Sequence, residues 1–308
     1  MDAKSIMDAK SITPELIKKW TCQRLAMLAH TLSDIDRFFY RSPNNSQHTI
    51  QPTESLGYLS VLPLETLTDV VLRLDVLSVT TLRRVNRRFM LVVDSVPQYQ
   101  MVYQHCPNII RDIISTGAKH FDFATLYKAL CEPHCVSCGN FGGYIYLITC
   151  LRVCYICFTE NRQFLPMIGK YARMITGCSK KELEQLPHIR SVEGRYADNG
   201  RLCRDQPTLW DREAVLSIQT TTPGCEKGDC ERNNPRRFMA IVSAPYFELP
   251  SKVAKWGLYC LGCSNSHKSE TYFRKQYTEQ GFVDHIILYG PVVPEGRRPR
   301  HAPLDMPS

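Results

Sequence analysis

Between Leu59 and Pro97 the chain fits two short amphipathic segments into about forty residues, too few to bury a stable core alone. The first opens at Leu62-Pro63, where a proline suits an initial helical position because no backbone donor is needed there. Leu67, Val70, Val71 and Leu74 follow at three- and four-residue spacing and share one face. Ser78 is placed to cap the next segment, in which Val79, Leu82, Val85 and Phe89 repeat the spacing. Arg83, Arg84, Arg87 and Arg88 hold the opposite face. Such a unit needs a second surface, either a larger core of its own chain or another subunit.

The order Leu-Pro-x-Glu-x-Leu, Leu-Asp, Arg-Arg-Val and Arg-Arg-Phe resembles the F-box, the motif that docks substrate adaptors onto Skp in cullin-based ubiquitin ligases. The resemblance covers Leu59 to about Pro97, and it implies a three-helix unit within roughly residues 52–98. It also implies that Leu62, Pro63, Leu67, Val71, Leu74, Val79, Leu82, Val85 and Phe89 are Skp-facing or core positions. Phe89 stands where the family commonly has Trp, and Asn86 where Cys or Ser is frequent.

The remainder of the 308 residues has room for a second domain, and an apolar content of 44% is that of a folded protein. Tyr144 to Phe158 is apolar but short and interrupted by Arg152, so no membrane span is expected. The first twelve residues repeat Met-Asp-Ala-Lys-Ser-Ile and lack an apolar signal core, which suits the cytoplasm or nucleus.

In a reducing compartment the fourteen cysteines are better suited to metal than to disulfides. Cys135-x2-Cys138 and Cys154-x2-Cys157, fifteen residues apart, have the spacing of a four-cysteine zinc site. Each pair on a tight turn presents two sulfurs to one tetrahedral ion, and Gly139, Gly142 and Gly143 suit the loop after the first pair. A second set, Cys225-x4-Cys230 with Cys260-x2-Cys263, is more loosely spaced. It fits a second zinc, free thiols, or a site shared with the first cluster, with His134 and His267 as spare nitrogen ligands. Cys22, Cys106, Cys131, Cys150, Cys178 and Cys203 have no ligand-like spacing and read as small apolar side chains.

The net charge of +8 does not by itself indicate nucleic acid, because the basic residues are dispersed. Each zinc held by four thiolates would add two net negative charges, and two such sites would halve the total. Around these anchors, a helix is expected from Thr13 toward Arg41 (with Leu16, Trp20, Leu28, Leu32 and Ile35 on its apolar side), and a polar linker over 42–55. Further helices are expected over His105–Cys131, Asn161–Ile175 and after Ser179, and strands over Tyr144–Thr149, Arg237–Ser243 and His285–Tyr289. A basic, proline-rich and mobile tail is expected after Gly290. The fold class is therefore mainly α with some β, with residues 1–51 as a helical extension and linker, a three-helix F-box, a zinc-stabilised α+β region over 99–290, and a tail over 291–308.

The cysteine runs, with Trp256-Gly-Leu-Tyr-Cys260, resemble the carboxy-terminal region of a group of fungal F-box proteins. No Cys-x-His pair, phosphate loop or metalloprotease helix motif is present, and four cysteines leave a metal no open position for catalysis. Together these features imply a non-catalytic adaptor that binds Skp, and a cullin through it, with a protein target held by the cysteine-rich region. A zinc-dependent nucleic-acid-binding or regulatory protein, or an F-box protein that binds Skp without a ligase, is the alternative.

Overall fold

The structure, a computed structural model, describes residues 12–25, 27–34, 55–218, 232–264, 273–295 and 298–302. Among them, helix α1 (Pro14–Trp20) is followed by α2 (Leu64–Arg73), α3 (Val76–Val85), α4 (Arg87–Ser95), α5 (Pro97–His105), α6 (Pro107–Thr116) and α7 (Phe123–Cys131). Short strands and helices make up the α+β remainder.

Local chemistry explains where the helices break. The cap of α3 is Asp75, not Ser78: its carboxylate accepts from the Ser78 backbone N at 2.9 Å and from the Ser78 hydroxyl at 2.6 Å. The segment expected to run through Val79 and Phe89 is two helices, because Asn86 is extended and its side chain accepts from the Phe89 N at 2.9 Å. Pro97 and Pro107 open α5 and α6, and each proline disfavours helical geometry in the residue before it. The single helix expected over His105–Cys131 therefore becomes parts of three, with Gly117 in left-handed geometry closing α6.

The inner faces of α2, α3 and α4 do not wait for another chain. Val71, Val76, Val79 and Val93 are buried in one core with Val102, Ile109, Ile113, Phe123 and Leu126. The Phe123 N donates to the Leu74 carbonyl at 2.8 Å, pinning α7 beneath α2. Arg83 leaves the solvated face expected for it and bridges α3 to α4, with Nε and Nη2 on the two Asp94 oxygens at 2.6 and 3.0 Å.

The same core continues into a three-stranded antiparallel sheet in which Tyr144–Tyr146 lies between Leu151–Val153 and Ile241–Ser243. The strand expected from Arg237 starts later, because Asn234 caps a helix over Pro235–Met239. Arg152, only 1% exposed, ties the layers together. Its guanidinium donates to the carbonyls of Ala129 in α7, Gly142 in the loop before the sheet, and Pro245 beyond the Ile241–Ser243 strand. Burial pulls this guanidinium down to about 10, which leaves it charged at neutral pH.

Two further three-stranded sheets and three two-stranded hairpins lie among the described residues. Thr208–Trp210 pairs with Met167–Ile168 and His188–Arg190, and Leu258–Cys260 pairs with Thr21–Cys22 and Gln276–Tyr277. The expected Asn161–Ile175 helix is instead a 3-10 turn (Arg162–Phe164), a strand after Pro166, and a helix over Gly169–Thr176. Ser179 and Glu182 form the anticipated reciprocal cap.

The N-terminal helix stops at Trp20, since Thr21 and Cys22 give their backbone to the sheet. Leu32 lies in a 3-10 turn, and Ile35 with residues 36–54 lies outside the described residues. The expected strand at His285–Tyr289 is a helix over Glu279–Tyr289, capped by Thr278, whose hydroxyl accepts from the Gly281 N at 3.0 Å. The segment after Gly290, read as a mobile tail, is a hairpin of Val292–Glu295 with Arg298–His301. Among the described residues no helix is long and apolar enough to cross a membrane.

Replacing Arg152 with Ala removes the donor from three carbonyl contacts at once, two of them buried. It is expected to lower stability by about 3 kcal/mol or more, read as a reduced midpoint in urea unfolding.

Candidate docking face and metal centres

The residues proposed to face Skp divide by depth. Leu67, Val71 and Val79 are buried in the chain's own core, and Leu74 and Leu82 are half-buried against it. Leu62 and Phe89 are half-buried, while Pro63 and Val85 are exposed. The outward surface lies one step earlier than the sequence suggested, on the 3-10 turn Gly57–Val61 and the first residue of α2. Tyr58 is fully exposed, Val61 is 84% exposed and Leu64 55%. The Asn86 side chain reaches the Ser55 carbonyl at 3.5 Å, which brings this segment to the turn between α3 and α4 beside exposed Val85. Contiguous exposed apolar side chains on a folded chain mark an interaction surface more than lone ones do. The alternation of Val61 and Leu64 around the Leu62-Pro63 pair was a visible signal for them.

The first cysteine set comes together. The Sγ atoms of Cys135, Cys138, Cys154 and Cys157 all lie within 4.8 Å of one another. The first pair sits on a tight turn in which the Gly139 N donates to the Cys135 carbonyl at 2.9 Å, and Gly139 has a φ of 70° that other residues rarely adopt. The second pair opens the helix Tyr155–Glu160, where Cys154 is the N-cap and accepts from the Cys157 N at 3.4 Å. The fifteen residues between the pairs form the hairpin of Tyr144–Tyr146 and Leu151–Val153, which carries both turns to one point.

Sulfurs about 2.3 Å from a shared tetrahedral ion lie about 3.8 Å apart. The Cys138 and Cys154 sulfurs are separated by 3.7 Å, so the donor set fits such an ion. A hydrogen bond from the Cys154 thiol and backbone donors at Ser137 and Cys138 hold Cys135 low, and the same contact with burial drives Cys154 up.

The second set assembles differently. Cys260 and Cys263 meet His285 and His301, with all four donor atoms within 4.8 Å. Cys225, Cys230 and His267 lie outside the described residues. His134 is not a member: it is exposed and its Nδ1 contacts Glu132 Oε1 at 2.6 Å. The Cys263 thiol, through its hydrogen bond, and then His285 and His301 hold Cys260 well below the usual thiol range.

The two histidines escaped sequence reasoning because they stand far from the cysteines, on segments read as a strand and a loose tail. The Thr278 cap with Phe282, Val283 and Ile286 on a helical period was the available signal for His285. Of the remaining cysteines, Cys106 and Cys150 are buried and their thiols are pushed up to about 12 by burial, which makes them unreactive. Cys22, Cys131, Cys178 and Cys203 are only half-buried. Phe141, Tyr144, Tyr146, Tyr155 and Phe158 are all core, with Phe158 edge-on to Tyr144 at 5.2 Å and Tyr155 at 5.1 Å.

Beside the second cluster lies a cavity of about 440 Å³ lined by Arg24, Tyr144, Trp256, Tyr259, Arg274 and Gln276, among others. Arg274 is 3% exposed and rigidly held, by Asp198 at 3.0 Å, the Leu28 carbonyl at 3.1 Å and the Tyr155 ring at 4.8 Å.

Comparison with known protein families matches residues 59–101 to the F-box domain. No curated protein and no solved structure matches the chain.

Changing Cys154 and Cys157 together to Ser is expected to reduce bound metal by one ion per chain and to collapse the near-UV circular dichroism signal. Elemental analysis of the purified variant checks the first outcome, and the spectrum checks the second.

Proposed function

We propose that the chain is a non-catalytic substrate-recognition adaptor of a Skp-cullin-F-box ubiquitin ligase. It docks on Skp through the exposed apolar surface of its F-box, and holds a protein target with the cysteine-rich region. One observation carries the reading. Within the segment matched to the F-box domain, the inner face is filled by this chain's own helices while Val61, Leu64 and Val85 remain uncovered. An apolar face of that kind has to be met by a second protein, and Skp is the partner F-box domains typically take.

Zinc is the metal that best suits the first centre. Four thiolates in a tetrahedral set favour it, and they leave no open coordination position for a bound water. Binding at such sites contributes roughly 10–16 kcal/mol to folding, which would hold loops that short strands alone could not. The half-polar cavity beside Trp256 and Tyr259 supports target binding in this region, since aromatic side chains make effective anchors. Ubiquitin transfer would follow from holding target and charged conjugating enzyme near each other, with no catalytic side chain supplied here. The reading carries a compartment with it: the cytoplasm or nucleus, where thiols stay reduced.

The test is co-purification from cells with Skp and cullin. Val61→Asp with Leu64→Asp is expected to abolish both signals and leave the unfolding free energy within about 0.5 kcal/mol of the original, as surface changes do. Leu67→Ala, by contrast, is expected to cost about 2–5 kcal/mol of stability because that side chain is core. Undiminished Skp binding by the double aspartate variant would sink the adaptor reading, and Skp without cullin would limit it to a Skp partner outside a ligase.

A further inference from the structure

We propose that Cys260, Cys263, His285 and His301 ligate one zinc ion in a closed site, and that this ion clasps the last helix and the terminal hairpin to the sheet that receives the N-terminal strand.

The distances fit an ion at the centre. With sulfur at about 2.3 Å and nitrogen at about 2.0 Å from tetrahedral zinc, sulfur–nitrogen edges are about 3.5 Å and the nitrogen–nitrogen edge about 3.3 Å. His301 Nε2 lies 3.2 Å from Cys260 Sγ and 3.3 Å from Cys263 Sγ, and His285 Nε2 lies 3.4 Å from Cys263 Sγ. The two Nε2 atoms are 3.3 Å apart.

Hydrogen bonding crowds the same cluster. His301 Nδ1 is 2.7 Å from the Gly290 carbonyl, which can only accept, so the ring proton sits there. In the neutral ring Nε2 then has a single lone pair, with three donor atoms within 3.3 Å of it. A cation resolves the conflict, because each donor then turns a lone pair inward. The Gly290 contact is the outer-shell partner that a ligating imidazole ordinarily has, and it fixes the ring's orientation.

The backbone makes room for this approach. A Cβ on Gly262, midway between the two cysteines, would fall 2.9 Å from His301 Cδ2 and 3.0 Å from its Nε2. Glycine at that position is what lets the hairpin's imidazole reach the knuckle. Around the four ligands Trp20, Tyr277, Phe282, Ile286 and Val292 form a separate apolar cluster, which excludes water from the site.

Two thiolates and two imidazoles in a closed tetrahedron select zinc, and with all four positions filled the ion is structural. The ligand set is complete without Cys225 and Cys230. The inference is independent of Skp docking.

The experiment uses the full chain, purified with zinc present, and combines metal content with zinc-edge X-ray absorption. Two zinc ions per chain with an average shell of three sulfurs and one nitrogen are expected, from one four-sulfur and one mixed centre. An all-sulfur shell would overturn the proposal, whatever the stoichiometry. One zinc bound by two sulfurs and two nitrogens would uphold it and remove the four-cysteine centre instead. His285→Ala with His301→Ala should retain a single zinc in an all-sulfur shell, whereas Cys225→Ser with Cys230→Ser should retain both ions. The reverse pattern in these two variants would overturn it. Should the histidine variant fail to fold, the absorption spectrum of the unaltered protein still decides the matter.

Discussion

The guanidinium of Arg152 reaches three carbonyls that belong to three parts of the fold: the end of α7, the loop after the first cysteine pair, and the far side of the central sheet. Among the described residues no carboxylate accepts a hydrogen bond from it, and its charge is solvated chiefly by backbone dipoles, with Glu132 acting only at longer range. A cation in that position would be costly to bury were any of the three missing. The consequence is geometric. The helical layer, the cysteine-bearing hairpin and the strand at Ile241–Ser243 can be assembled only in the arrangement that satisfies this one side chain, and each therefore constrains the other two.

That constraint bears on how an adaptor would work. The F-box helices do not sit on a flexible stalk. Their inner residues Val71, Val76 and Val79 share a core with Ile145, Val153 and Phe158 of the cysteine-rich part. The outward surface at Val61, Leu64 and Val85 is thus held at a fixed orientation relative to the four-cysteine cluster. A rigid relay of this kind keeps the effective concentration of a bound target high at one location, where a loose linker would spread it over a volume.

What could be read from residues alone follows physical range. Short-range signals were legible: the reciprocal cap at Ser179 and Glu182, the glycine turn at Gly139, and the four cysteines whose paired spacing fixes their geometry. Spacing also found the F-box, but not the depth of its members. Periodicity gives a shared face without saying whether that face meets one's own chain, and Leu67 and Val79 proved to be core. Helix continuity was overestimated wherever a local cap or a proline competed with an apolar stripe, as at Asn86 and at Pro107. The second ligand set depends on contacts across twenty-two and thirty-eight residues of sequence, and no local pattern encodes those.

The strand Leu258–Cys260 is three residues long, and its neighbours along the chain face opposite ways. Tyr259 lines the cavity while Cys260 belongs to the metal cluster. Thr21 opposite Cys260 on one edge, and Gln276 opposite Tyr259 on the other, set that arrangement. A slip of a single residue would turn a phenol ring toward the ligands and a thiol into the cavity, spoiling both sites in one step. So short a strand has little hydrogen bonding with which to resist slippage, and the clustered side chains supply the missing discrimination: only one alignment lets Cys260 meet Cys263, His285 and His301.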